Sequence, residues 1–230
     1  MSDDLVIDVS RLSKPAYFIT GTDTAVGKTY VATALIRESV RAGRRVGAMK
    51  PVAAGARAAP GSHGQGPQAL RNDDALALAE ASNVAVPYST TNPYCFEEAV
   101  SPHIAAKSAG IMIDPEVISR EFAKLAADSD CVIVEGAGGW LAPIGGDRTM
   151  ADIATALGLP VILVIGLRLG CLNHALLTAR AIRSSGLDLV HWVGNAIDPS
   201  FERAGENVAT LAAALGKPLA LVPHRVTTGS

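Results

Sequence analysis

Aromatic side chains are scarce in this chain, at 4% of the sequence, so it has few rings to offer as stacking platforms for single-stranded nucleic acid. Charge of one sign is not in excess either: 20 Lys and Arg against 22 Asp and Glu leave a formal net charge of -2. That excludes a global electrostatic pull toward nucleic acid or an anionic membrane, and any basic residue that matters must act locally. The three cysteines, Cys95, Cys131 and Cys171, form an odd set that fits neither a disulfide framework nor zinc-ligand spacing. They read as reduced, mostly buried thiols. No apolar run approaches the ~20 residues needed to span a bilayer. Met1-Ser2-Asp3-Asp4 is acidic where a signal peptide would be basic. A cytoplasmic metabolite enzyme is expected, with no nucleic-acid or membrane partner. Internal repeats are also missing.

What the chain does have is apolar content, 49% of 230 residues, enough for one core and rather short for two. Short apolar runs alternate with helical patterns, which predicts an α/β domain: a mostly parallel sheet flanked by helices on both faces. Strands are expected near Ala16 to Thr20, Arg45 to Met49, Cys131 to Glu135, Val161 to Ile165, Val190 to Asn195 and Leu219 to Val222. Met150, Ile153, Ala154 and Leu157 repeat at helical spacing, as do Val208, Leu211, Ala212 and Leu215, and both sets read as core faces. A helix is expected from Asp114-Pro115, where Asp can cap and Pro suits the first turn. Residues 1–14 read as a flexible extension. Ala54 to Arg71, rich in Gly, Pro, Ala and Gln, reads as a mobile surface loop.

Gly21-Thr22-Asp23-Thr24-Ala25-Val26-Gly27-Lys28-Thr29 follows an apolar strand and precedes Val31, Leu35, Ile36 and Val40 at helical intervals. This strand, loop and helix context is what a phosphate loop requires, and it makes the domain P-loop NTPase-like. Successive backbone amides and the helix's positive end favour phosphate, Lys28 can reach the outer phosphates, and the Thr29 hydroxyl can ligate magnesium. Five residues separate Gly21 from Gly27, one more than in the Walker A pattern.

The strand Cys131 to Glu135 ends in a carboxylate before Gly136-Ala137-Gly138-Gly139, which places Glu135 beyond the sheet's carboxyl edge, beside Thr29, with glycines that let a ligand approach the backbone. Lys50-Pro51 closes the second strand, and a second lysine there would stabilise a non-nucleotide oxyanion. On composition alone, Asp73 and Asp74 read as helix-start acids favoured by the macrodipole. Asn195-Ala196-Ile197-Asp198 lacks the lysine of the GTPase Asn-Lys-x-Asp element, so base recognition is open and guanine specificity is not implied. Asn173 reads either as a helix cap or as part of an anion-binding helix start.

Taken as a set, the phosphate loop, Lys50-Pro51-Val52-Ala53, Arg71-Asn72, Asp74-Ala75-Leu76-Ala77-Leu78, Asn92-Pro93-Tyr94, Ser101-Pro102-His103-Ile104, Val134-Glu135-Gly136-Ala137-Gly138-Gly139-Trp140 and Leu169-Gly170-Cys171-Leu172-Asn173-His174-Ala175 resemble the dethiobiotin synthetases. These segments occur in the family's order, from about Tyr17 to Arg225. The resemblance implies a ligase that uses ATP and magnesium to close a cyclic urea from 7,8-diaminononanoate and carbon dioxide. It implies Lys28 and Lys50 as catalytic groups and Thr29, Asp74 and Glu135 as magnesium ligands. The nucleotide site would take in Ala25, Val26, Gly27, Lys28, Thr29 and Tyr30, with Asp74 and Glu135, then Gly136, Ala137 and Gly138. Asn195 and Ala196 would meet the base, and Pro223, His224 and Arg225 would touch the nucleotide largely through backbone. Thr24, Lys50, Ala54, Gly138 and Gly139 would line the diamine site. In the implied homodimer the helix start at Gly170 to Asn173 would receive the substrate carboxylate across the interface. Ala54 departs from the Ser or Thr of many relatives, and Ala25 from the Glu of some.

Two other readings use the same loop. A ParA- or MinD-like switch ATPase would place a second lysine where this chain has Thr22. A synthetase of the cobyrinate amidation type would carry a glutaminase domain after its ATP domain.

Overall fold

A computed structural model, describing residues 7–59 and 70–224, realises the alternation. A 3-10 turn, Val9–Arg11, precedes β1 (Ala16–Gly21), α1 (Lys28–Arg41) and β2 (Val46–Met49). Then come β3 (Val52–Ala53), β4 (Arg57–Ala58), β5 (Leu70–Arg71), α2 (Asp73–Ala81), α3 (Tyr88–Thr91), β6 (Tyr94–Cys95), α4 (Pro102–Ser108) and α5 (Pro115–Ala127). The second half runs β7 (Cys131–Glu135), β8 (Pro143–Gly145), β9 (Arg148–Thr149), α6 (Met150–Leu157), β10 (Val161–Leu167), α7 (Cys171–Ser184), β11 (Leu189–Ala196), α8 (Ala204–Leu215) and β12 (Ala220–Val222).

The six predicted strands form one parallel sheet in the order β12-β11-β10-β1-β7-β2. Its strands are mostly apolar because both faces are covered. Tyr17, Ile19, Ile133, Ile162 and Val164 pack with Val31, Leu35 and Ile36 of α1. The alternate residues Phe18, Val132 and Val134 meet Ile118 and Leu125 of α5 and Ile153 of α6 on the other face. Leu163 and Ile165 continue that face with Ala175 of α7 and Leu211 of α8. Each such buried side chain contributes about 1.5–3 kcal/mol relative to exposure. Asp114 caps α5 by accepting from Glu116 N at 2.9 Å, with Pro115 in the first turn, as the sequence predicts.

From Ile7 onward the amino-terminal stretch departs from the flexible extension expected of it. Ile7 and Leu12 are 2% and 3% exposed, Arg11 donates to the Pro218 carbonyl at 2.8 Å, and Arg44 donates to that of Leu12 at 3.2 Å. Two well-spaced apolar side chains are enough to fasten a short polar segment to the core. Of the Ala54 to Arg71 stretch, expected as a mobile loop, 60–69 lie outside the described residues; its ends pair as the antiparallel ribbon of β4 and β5.

Strand β1 sits between β10 and β7. The chain leaves it toward β2 on one side and later crosses to β10 on the other, a switch point beyond which ligands gather. The carboxyl ends of β1, β2 and β7 deliver the phosphate loop, Lys50 and Glu135 to that one place.

Candidate active site

The loop after β1 has little room at two glycines. A Cβ on Gly21 would stand 2.7 Å from Val26 Cγ2. Gly27, the N-cap of α1, has φ 89° and ψ 28°, a left-handed backbone that glycine takes without a Cβ penalty. Ala25 is the one non-glycine at positive φ among the described residues, at 57°. No side chain caps α1, which leaves its first-turn amides and the positive end of its dipole to an anion. Lys28 donates to Asp23 O at 2.9 Å, and the Asp23 carboxylate accepts from Arg168 at 2.6 Å, pinning the crown of the loop to the end of β10. Burial pushes the Lys28 amine down to about 8, and the Lys50 ammonium adds to the effect.

Lys50 follows β2 directly and is 4% exposed. Its Nζ donates to Glu135 Oε1 at 2.5 Å and to Asp74 Oδ2 at 3.0 Å. Burial by itself would lower this amine, but the Glu135 and Asp74 carboxylates outweigh it and hold Lys50 above the usual lysine value. For Asp74 the sign is reversed: burial would raise its carboxyl, and Lys50 and the Thr29 hydroxyl together hold it below the usual range. Desolvating Glu135 and Lys50, with Asp74 half-exposed beside them, costs about as much as their attraction returns, so such a cluster argues for chemistry more than for stability.

Glu135 is wholly buried; Oε1 also accepts from the Thr29 hydroxyl at 2.9 Å, while Oε2 has no hydrogen-bond partner among the described residues. A leftover buried carboxylate oxygen calls for a ligand. Glu135, Asp74 and Thr29 offer oxygen donors alone, which suits magnesium better than a softer metal. Among the described residues no group of three or more His, Cys, Asp or Glu could hold a metal unaided. Substrate phosphates completing the coordination is the usual arrangement for magnesium.

A cleft of about 680 Å³ opens over these groups. Thr24, Ala25 and Gly27 line it from the loop, Lys28 and Thr29 from the first turn of α1, Lys50 and Ala54 from beyond β2, Asp74 from α2, Glu135 from the end of β7, and Ala137, Gly138 and Gly139 from beyond it. Gly136 lies beneath, where a Cβ would stand 3.0 Å from the Phe18 ring, and Val26 is buried under the loop. Tyr30 is half-buried on α1. Asn195, at the end of β11, donates its Nδ2 to Val26 O at 2.9 Å and so supports the phosphate loop from below. Ala196 follows it, and Pro223 and His224 are exposed after β12, outside the cleft wall; Arg225 lies outside the described residues. Asn173 is exposed in the first turn of α7, also away from the cleft. The sequence gives weaker notice of the remaining wall, which includes Asn72, Ser101, Pro102, Ala142 and Pro143 along with Ala53, Ala99 and Val100. Of these, Asn72 before two acids and Ser101-Pro102 carry helix-start signals; Ala142 and Pro143 carry none.

A family model described as an AAA domain matches residues 15–225. The ATP-dependent dethiobiotin synthetase BioD of Pseudomonas paraeruginosa is 46% identical over 94% of this chain and 92% of its own length. That of Aromatoleum aromaticum is 48% identical over 91% of this chain and 90% of its own. That of Xanthomonas oryzae pv. oryzae is 44% identical over 90% and 89%. Among solved structures, a ParA family ATPase from Chlorobium tepidum superposes with a TM-score of 0.54, covering 93% of this chain and 86% of that one. At 14% identity the likeness speaks for the P-loop fold alone.

Proposed function

This chain belongs to the dethiobiotin synthetase family, ATP-dependent ligases that form carbon–nitrogen bonds, and we propose that the cleft over Lys28, Lys50, Asp74 and Glu135 is where it closes the cyclic urea. The observation that carries this reading is the second buried amine. ATP hydrolysis has no evident need of Lys50, whereas a carbamate and its mixed anhydride with phosphate are further anions to be neutralised and oriented.

Carbon dioxide adds to one neutral amine of 7,8-diaminononanoate, giving a carbamate with release of one proton from that nitrogen. A carbamate oxygen takes the γ-phosphoryl group and ADP leaves; the second amine then attacks the carbamate carbon, phosphate departs, and the ring closes with loss of a proton from that amine. Lys28 and the first-turn amides of α1 hold the phosphates. Lys50 faces the carbamate oxygen as charge moves onto and off it. When bound, magnesium at Thr29, Asp74 and Glu135 supplies a hard divalent charge for the phosphate oxygens. Thr24, Gly138 and Gly139 border the diamine. Ala54 offers it no hydroxyl, but Asn72, whose Nδ2 donates to Ala54 O at 3.2 Å, is a polar side chain in the same wall. Asn195, Ala196, Pro223 and His224 border the base. Two copies of the chain pair so that the α7 start, with Asn173, meets the substrate carboxylate. The exposed Leu169 and Leu177, with Ile104 and Leu141, supply apolar surface for that contact. A cytoplasmic setting suits the three free thiols, and among the described residues no helix is long and apolar enough to cross a membrane.

The test is formation of dethiobiotin by purified protein given the diamine, bicarbonate, magnesium and ATP, each omitted in turn. Dethiobiotin and phosphate should appear together. Phosphate release indifferent to the diamine, with no dethiobiotin, would favour a switch ATPase.

The lowered Lys28 value adds a pH signature. Below about pH 8 the buried ammonium costs the folded chain stability, and that cost fades as pH rises toward 10.5. Bound phosphates favour the ammonium. Nucleotide binding should therefore take up most of a proton at pH 8.5 and only about a tenth of one at pH 7. Calorimetric titrations in buffers of different ionisation enthalpy read this directly. Binding heats that do not depend on buffer at pH 8.5 would place Lys28 near its ordinary value.

A further inference from the structure

Pro51 has no backbone N–H, so the β2 ladder stops before it and the peptide of Lys50 needs partners from elsewhere. It finds both in the corner formed by α3 and β6. Lys50 N donates to Thr91 O at 2.7 Å, and the Asn92 carboxamide donates to Lys50 O at 2.7 Å and to Tyr94 O at 3.1 Å. Asn92 is 2% exposed, so these are buried bonds. Its Oδ1 accepts from the Tyr88 hydroxyl at 3.0 Å, and that hydroxyl accepts from Asn72 N at 2.8 Å. Asn72 is in turn the N-cap of α2, accepting from Ala75 N at 3.2 Å, and Asp74 lies in that helix's first turn. An unbroken chain of hydrogen bonds thus runs from the peptide of Lys50 through Asn92, Tyr88 and Asn72 to the helix that presents Asp74. It closes on itself where Lys50 Nζ meets Asp74.

We propose that Tyr88 and Asn92 are positioning residues for ring closure: they set the Lys50 ammonium against Asp74 without touching substrate. This rests on the cleft being the synthetase site. Tyr88 is suited to the task because its hydroxyl both accepts from Asn72 N and donates to Asn92 Oδ1, with Cys95 Sγ beside it at 3.9 Å. Burial raises the hydroxyl's pKa well above the usual tyrosine value, so it remains a donor across the working pH range. The Arg71 guanidinium lies 4.2 Å from the ring centroid and covers its face. A side chain held on both its ring and its hydroxyl can transmit position to another, and a displacement of about 1 Å at a reacting group can cost ~10² in rate.

Tyr88→Phe keeps the ring and its Arg71 contact while deleting the hydroxyl. It should lower kcat for dethiobiotin about tenfold and leave the KM for ATP within about twofold, because nucleotide binding rests on the phosphate loop. In a Lys50→Gln background the same change should lower kcat by less than about twofold, since its effect passes through the lysine. Asn92→Asp, which removes the donors to Lys50 O, should repeat the pattern if that variant folds. Unchanged kcat in Tyr88→Phe, or a loss of the same factor with and without Lys50, would overturn the proposal. If instead the wild-type chain forms no dethiobiotin at all, the functional reading fails before this one is reached.

Discussion

Lys50→Gln is expected to lower dethiobiotin turnover by ~10² or more, with the KM for ATP changed by less than about fivefold. Glutamine keeps two N–H donors, one bond short of the Lys50 Nζ position, and removes the charge. That charge lies in a site where Lys50 is 4% exposed and Glu135 is wholly buried, so little solvent is present to screen it. An ammonium there is worth most when negative charge passes from the γ-phosphoryl group to the carbamate and back, which is why kcat should carry the loss. A second consequence follows from the same geometry. Without the ammonium, two carboxylates face each other uncompensated, and the apo protein should be less stable than the wild type. Adding MgATP should recover part of that difference. Steady-state rates of dethiobiotin and phosphate formation, with melting curves in parallel, separate the two effects. Turnover within about threefold of wild type would remove Lys50 from the chemistry.

Parts of this arrangement are legible in the sequence, for a physical reason. A parallel sheet covered on both faces needs apolar strands such as Val161–Leu167, and no solvated alternation interrupts them. The phosphate loop is equally plain, since backbone approach to an anion restricts residue type. Asp74 is harder: next to Asp73 at a helix start it looks like a macrodipole effect. Only folding shows one acid turned to Lys50 and the other to Arg57. Two-residue pairings such as Val52 with Tyr94 and Ala53 with Cys95 leave no periodicity to read, so Asn92-Pro93-Tyr94 stands out only through the family resemblance, and its grip on the Lys50 peptide is not announced. Asn195 shows another limit. Its strand-end position suggests contact with a base but gives no notice that its amide also donates to Val26 O in the phosphate loop, a bond between residues far apart in the chain.

Gly27→Ala should all but abolish nucleotide binding, weakening affinity by ~10² or more and, with it, turnover. Two costs combine at this position. The backbone stands at φ 89°, where an L-residue is strained by roughly 1–3 kcal/mol. The new Cβ would also stand 2.3 Å from Asn195 Nδ2, the atom that donates to Val26 O. Either Asn195 gives way and the loop loses its support, or the loop moves and the first-turn amides of α1 no longer converge on phosphate. Gly27→Ala with Asn195→Ala distinguishes these costs. It relieves the collision but not the strain, so the double variant should regain part of the lost stability and little of the affinity. Full recovery of ATP affinity in the double variant would assign the whole defect to the collision. Wild-type affinity in Gly27→Ala alone, read by calorimetry, would mean that the left-handed turn is not what shapes the phosphate site.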